Sequence, residues 1–168
     1  MDTQQKFIDR VCCDLSSRGF APRTLGVTDY DWEAPLKAIR RLMLESNGLI
    51  TIAFRRTYIK QGSGNYRTNI TNLKDYSLDD QWLTSPWAHI EPAMAYQVGL
   101  PILILREEGV IAEGLLEKSV TGTYMPVFNV NGSLDRYFTS PEWSDLISKW
   151  EEQVKSVAER KNDRPRPC

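Results

Sequence analysis

The sequence predicts an α/β layered domain with a mostly parallel sheet, and three observations carry that expectation. Residues 49–54 (Leu-Ile-Thr-Ile-Ala-Phe) and 102–105 (Ile-Leu-Ile-Leu) are short apolar runs rich in β-branched side chains, the pattern of strands covered on both faces. Helical patterns alternate with these runs, which places helices on the faces of a sheet. Near the C-terminus Trp143, Leu146, Ile147, Trp150, Val154 and Val157 repeat at helical spacing over about four turns, the clearest amphipathic signal in the chain.

The elements follow in order. Residues 3–18 read as a helix with Phe7, Ile8, Val11, Cys12 and Leu15 on one face and Gly19 as its stop. An extended piece follows at 20–26, then a turn and candidate cap at Thr28-Asp29-Tyr30-Asp31. A second helix is expected over 32–46, with Pro35 in its first turn and Leu36, Ile39, Leu42 and Met43 inward. Residues 49–54 form a central strand. Residues 60–80 are polar and glycine-containing, and a connection of that length is usually functional or mobile. Gly62 and Gly64 do not make a phosphate loop, because its lysine and Ser/Thr are missing.

Ser85 and Pro86 open a third helix as cap and first residue, and Gly99 closes it. Its spacing turns Trp87, Ile90, Met94 and Val98 toward a core and sets Glu91 on a neighbouring stripe with Trp87 and Ala95. The strand at 102–105 is followed by a turn at Glu107-Glu108-Gly109 and a short helix at 114–118. Residues 124–130 are an edge strand, since Pro126 cannot donate to a ladder. Ser140 and Pro141 start the final helix. The domain is expected to end near 159, with a charged, proline-containing, disordered tail at 160–168.

Of 168 residues, 41% are apolar and 26% charged, ordinary values for a globular protein with one core. A net charge of −1 gives no overall footprint for nucleic acid or an anionic membrane. No apolar run approaches a membrane span. Cys12, Cys13 and Cys168 show neither metal spacing nor a disulfide framework. With a polar, acidic start at Met1-Asp2-Thr3, these features predict a cytoplasmic protein.

In parallel sheets ligands bind at the C-terminal ends of the strands. Arg55, Arg56, the glycine-containing loop and the start of the Glu91 helix all fall at that rim. A carboxylate there suits chemistry at a sugar carbon, as nucleophile or as stabiliser of an oxocarbenium ion. Arg55 and Arg56 suit a phosphate, Trp82, Trp87 and Tyr96 suit stacking on a base, and the helix start at Ser85 suits an anion. Each residue also has an ordinary reading: Glu91 as a solvated helix residue, the arginines as strand-end charges, Trp87 as core. His89, the single histidine, excludes a multi-histidine metal site.

The run Ser46-x-Gly48-Leu-Ile-Thr-Ile-Ala-Phe, then Ser85-x-Trp87-x-x-x-Glu91-x-x-x-Ala95, then Gly99-Leu-Pro-Ile-Leu-Ile, resembles the TIR domain and the nucleoside 2-deoxyribosyltransferase-like proteins. The resemblance covers residues 7–130, and its specific part is 85–105. It implies a flavodoxin-like three-layer fold and cleavage of an N-glycosidic bond in NAD or a nucleoside, with Glu91 essential. Bacterial relatives serve in anti-phage defence, as effectors or as readers of nucleotide signals. Two features depart from the family. Its members begin with a strand inside the sheet, whereas this chain opens with a helix. That strand is therefore lost or encoded upstream of Met1. Pro92, directly after Glu91, removes the hydrogen bond to the Ala88 carbonyl and kinks the helix.

The resulting expectation is a TIR-like hydrolase of NAD or a related nucleotide or nucleoside. Glu91 is its catalytic residue, and Arg55, Arg56, Trp82, Ser85, Trp87 and Tyr96 hold the substrate. No metal or cofactor is expected beyond the nucleotide itself. The protein should act as a homo-oligomer, without membrane or direct nucleic-acid contacts. The alternatives are a non-catalytic module that senses a nucleotide in the same cleft, or an oligomerisation domain.

Overall fold

A computed structural model describes residues 3–30, 32, 34–121 and 124–163. Helices α1 (Thr3–Ser17) and α2 (Pro35–Glu45) lead into strand β1 (Leu49–Ala53). Two short antiparallel ladders follow, β2 (Thr57–Ile59) with β5 (Gln81–Leu83) and, between them, β3 (Ser63–Gly64) with β4 (Tyr76–Ser77). Helix α3 (Trp87–Gln97), strand β6 (Ile102–Glu107) and a 3₁₀ turn at Gly114–Leu116 come next. The chain closes with α4 (Lys118–Thr121), β7 (Val127–Phe128), α5 (Leu134–Phe138) and α6 (Pro141–Asn162).

The main sheet is parallel throughout, in the order β1-β6-β7, so β6 is the central strand and β1, expected to be central, lies at an edge because no described strand pairs on its other side. Side chains alternate across it, which sorts the strands onto two helical layers. Ile50, Ile52, Phe54, Leu103, Leu105 and Phe128 pack with α1 and α6, through Phe7, Val11, Trp143, Ile147 and Trp150. Ala53, Ile102 and Ile104 face the other way, onto Ala88 of α3 and Leu116 of the 3₁₀ turn. Helix α2 reaches the same layer through Ile39 and Met43, against Ala95 and Leu49. This three-layer α/β arrangement is compatible with the flavodoxin-like expectation. No helix of the described residues is long and apolar enough to cross a membrane.

Local sequence explains the ends. Ser140 Oγ accepts from Trp143 N at 3.1 Å, with Pro141 in the first turn. Gly99 takes φ +74°, and Leu100 N reaches back to Ala95 O at 3.0 Å. Gly48 serves a different need: a Cβ there would lie 2.5 Å from Val154 Cγ2, so α6 packs directly on the backbone entering β1.

Several expectations are corrected. The face of α3 that packs inward is Ala88, Pro92 and Ala95; Trp87 and Val98 are exposed, while Ile90 and Met94 are half-buried. Counting large apolar residues selected the wrong stripe, because the close approach to β1 is made by small ones. The long connection at 60–80 is not without structure, since it carries β3 and β4 and is bracketed by β2 and β5. Helix α2 begins at Pro35 and leaves Leu36 exposed; part of the candidate cap, at residue 31, lies outside the described residues. The strand expected over 124–130 is reduced to Val127–Phe128, at an edge as anticipated. Helix α6 runs on to Asn162, past the expected start of the tail, and residues 164–168 lie outside the described ones.

Phe7 is fully buried, stacked on Phe128 at 3.9 Å between centroids and edge-on to Phe54. Tyr137 packs in the same cluster with its hydroxyl buried and without a hydrogen-bond partner. Urea unfolding should therefore separate the two: Phe7→Ala should cost about 3–5 kcal/mol, whereas Tyr137→Phe should be neutral or stabilising by about 1 kcal/mol, because it removes a desolvated hydroxyl that gains no bond.

Candidate functional site

The orientation of α3 follows from its contacts. Ala88, in its first turn, packs in a cluster with Ala53 at the C-terminal end of β1. Ala95, in its last turn, packs in a cluster with Leu49 at the N-terminal end. Helix α3 thus runs antiparallel to β1, with its N-terminus at the rim where the strands end. Ser85 begins it: the Ser85 carbonyl accepts from Ala88 N at 2.9 Å and its Oγ from Trp87 N at 3.3 Å, with Pro86 already in helical geometry.

Glu91 lies midway along α3, beside the small-residue face. It is half-buried, and no described residue gives it a hydrogen bond or an ion pair. Burial alone raises its pKa above the ordinary carboxylate value. Pro92, fully buried, denies the Ala88 carbonyl its helical donor one turn away. On β1, Thr51 occupies the corresponding middle position of the facing stripe, between Leu49 and Ala53. It is only 4% exposed, and its Oγ1 is buried without a partner. Thr51 on β1 and Glu91 beside the inward stripe of α3 are thus two polar groups without a partner among the described residues.

The rim above is built around Trp82. Its ring is half-buried against the Ala53–Ala88 cluster, 4.9 Å from the Tyr58 ring and 5.7 Å from the Arg55 guanidinium. Arg55 is held by structure: Nε donates to Glu108 O at 2.6 Å and lies 3.7 Å from Glu107 Oε1. Arg56 is exposed, with Nη1 3.5 Å from Gln4 Oε1. Trp87, 41% exposed, stands one turn before Glu91 on the same stripe of α3.

The structure thus gathers Arg55, Trp82, Ser85 and Trp87 at the rim, with Arg56 beside them and Glu91 one turn deeper. It does not bring Tyr96 there. Tyr96 is 73% exposed at the far end of α3 and lines a separate open concavity of about 490 Å³ with Glu152, Ser156 and Arg160 of α6. A second concavity, of about 590 Å³, lies between α3 and the 3₁₀ turn and is lined by His89, Ile90 and Glu113. Glu91 lines neither. Among the described residues no group of His, Cys, Asp or Glu is arranged to hold a metal.

Sequence reasoning missed Glu107, which it assigned to a turn. Glu107 is 3% exposed; its Oε2 accepts from Arg55 N and from Gln4 Nε2, both at 2.9 Å. The signal was present: Leu103, Leu105 and Glu107 share a strand face, so the carboxylate had to point into the α1 layer. Thr51 was readable by the same alternation.

Comparison with protein-family models, with curated proteins and with solved structures finds no match in any of the three.

Two outcomes are expected. Glu107→Ala removes the acceptor of the Arg55 amide and one of the acceptors of the Gln4 side chain and should cost about 2 kcal/mol in chemical denaturation. Glu91→Gln should instead raise the melting temperature at neutral pH. A carboxyl whose folded pKa is raised is fully paid for only when ionised. Its cost is absent below the unfolded pKa and complete above the folded one, so the advantage of glutamine should vanish as pH falls below the usual glutamate range.

Proposed function

We propose that the protein hydrolyses the N-glycosidic bond of NAD or a related nucleotide or nucleoside, with Glu91 acting at the anomeric carbon. The observation that carries the reading is a half-buried carboxyl without a cation, one turn below an exposed indole. A carboxylate kept partly out of water and free of a counter-ion gains most when positive charge develops beside it. In the reaction the C1′–N bond breaks, and both electrons leave with the base, which for NAD departs as neutral nicotinamide. Water supplies hydroxide to C1′ and its remaining proton goes to solvent. Ionised Glu91 stabilises the cationic sugar between these events.

The rim residues have supporting roles. Trp87 stacks on the base, and Arg56 is the cation best disposed toward phosphate. Arg55 holds Trp82 and the end of β6 in place, because its guanidinium is already engaged there. The similarity of 85–105 to the TIR and deoxyribosyltransferase-like pattern supports the same chemistry and suggests a role in nucleotide signalling or anti-phage defence.

The test is incubation of concentrated protein with NAD and, separately, with nucleosides, following base release by chromatography. Release of free base is expected, falling about 100-fold or more in Glu91→Gln, and weakening as pH drops through the raised pKa of Glu91, since the ionised form is required. Binding of either ligand without release of base, unchanged in Glu91→Gln, would replace the hydrolase with a sensor.

A further inference from the structure

We infer that the arm between β1 and α3, residues 55–83, is a binding surface for single-stranded nucleic acid. The inference does not depend on the chemistry assigned to Glu91.

Positive charge is concentrated on this arm. Residues 55–74 carry five Lys or Arg and no Asp or Glu, and with a net charge of −1 overall the rest of the chain is acidic. Arg55 is engaged at the rim. Arg56, Lys60, Arg67 and Lys74 are exposed and have no acid partner among the described residues. Two of the three acids that follow are used within the arm: Asp79 Oδ1 accepts from Gly62 N at 2.9 Å, and Asp80 accepts from the Tyr58 hydroxyl. The third, Asp75, is exposed. Net charge alone argued against a nucleic-acid partner; its distribution argues for one, since a row of phosphates complements such a stretch.

Aromatic rings are interleaved with these cations along the two ladders. Tyr58 lies opposite Trp82 in β2–β5, with the rings 4.9 Å apart, and stays exposed. Tyr76 lies opposite Gly64 in β3–β4. A Cβ at Gly64 would come within 2.2 Å of the Tyr76 ring, so the missing side chain lets that ring lie on the backbone. Gly64 is buried beneath it, while Tyr76 itself remains exposed. Just past β3, exposed Tyr66 has the Arg67 guanidinium 5.0 Å from its ring centre. Arg67 takes φ +55°, left-handed backbone that an arginine rarely adopts. Backbone of that kind concentrates at binding surfaces.

Open rings among unpaired cations select the partner. Every nucleobase has a flat face, and stacking on tyrosine holds it whatever its identity. In a duplex those faces are covered by neighbouring base pairs, so a duplex would engage the cations alone. An acidic peptide brings carboxylates without the flat faces. A single strand brings both phosphates and open bases.

The test is fluorescence anisotropy of a fluorescein-labelled oligothymidylate, about 20 nucleotides long, titrated with the full-length protein. Saturable binding is expected, about tenfold tighter than to a duplex of the same length. Tyr66→Ala should weaken it about tenfold with unchanged salt dependence. Lys60→Gln combined with Lys74→Gln should instead lower the slope of log affinity against log salt by about 1.4. All three positions are exposed, so circular dichroism should not change. No saturable binding at low salt, equal affinity for the duplex, or displacement by polyglutamate as effective as by unlabelled strand would each overturn the inference. A two-chain mass in light scattering that Tyr66→Ala reduces to one, without strand binding, would give the arm to a second copy and overturn it too.

Discussion

The geometry of the candidate site depends on the closeness of α3 to β1. Ala88, Pro92 and Ala95 present almost no side-chain bulk, so the helix settles against the strand. The residue beside that stripe, Glu91, is drawn partly out of water with it. Nothing among the described residues repays that desolvation with a hydrogen bond or a cation. A larger residue in the stripe would lift the helix and return the carboxyl to solvent. Packing by small residues and an uncompensated charge are therefore two consequences of one choice of sequence.

A second carboxylate has the opposite fate. Glu107 is more deeply buried than Glu91, yet it is compensated by the Arg55 backbone, the Gln4 amide and the nearby Arg55 guanidinium. These contacts join the start of α1 to the ends of β1 and β6. They fix the strand ends that carry the rim, and the Arg55 side chain extends the support to Trp82. One acid holds the scaffold and the other is left without a partner within it.

Much of this was legible in the residues and some was not, for identifiable reasons. The alternation of helices with 49–54 and 102–105 led directly to the parallel pair β1–β6, because a continuous apolar run of that length has few other places to go. The final helix was equally clear from its tryptophan spacing. The inward face of α3 was misread because apolar bulk was taken as the measure of burial, while helix–strand proximity here rests on alanine and proline. The short ladders within 57–83 have only two or three residues per strand, too few for a period-2 pattern to stand out. For the site, Trp87 and Glu91 lie one turn apart on one stripe of α3, and Ser85 sits just before its first turn. Tyr96 lies at the opposite end of the helix, a separation that follows from rise per residue rather than from residue type. Glu107 and Thr51 escaped notice because their roles come from strand parity and three-dimensional neighbours.

The most direct measurement is a site-resolved titration of the Glu91 carboxyl by carbon NMR, assigned by comparison with Glu91→Gln. The desolvated, unpaired carboxyl described here should titrate above the usual glutamate range, alone among resonances lost in the variant. A pKa at or below the ordinary value would place the group in bulk water or beside an unseen cation, and would contradict the account.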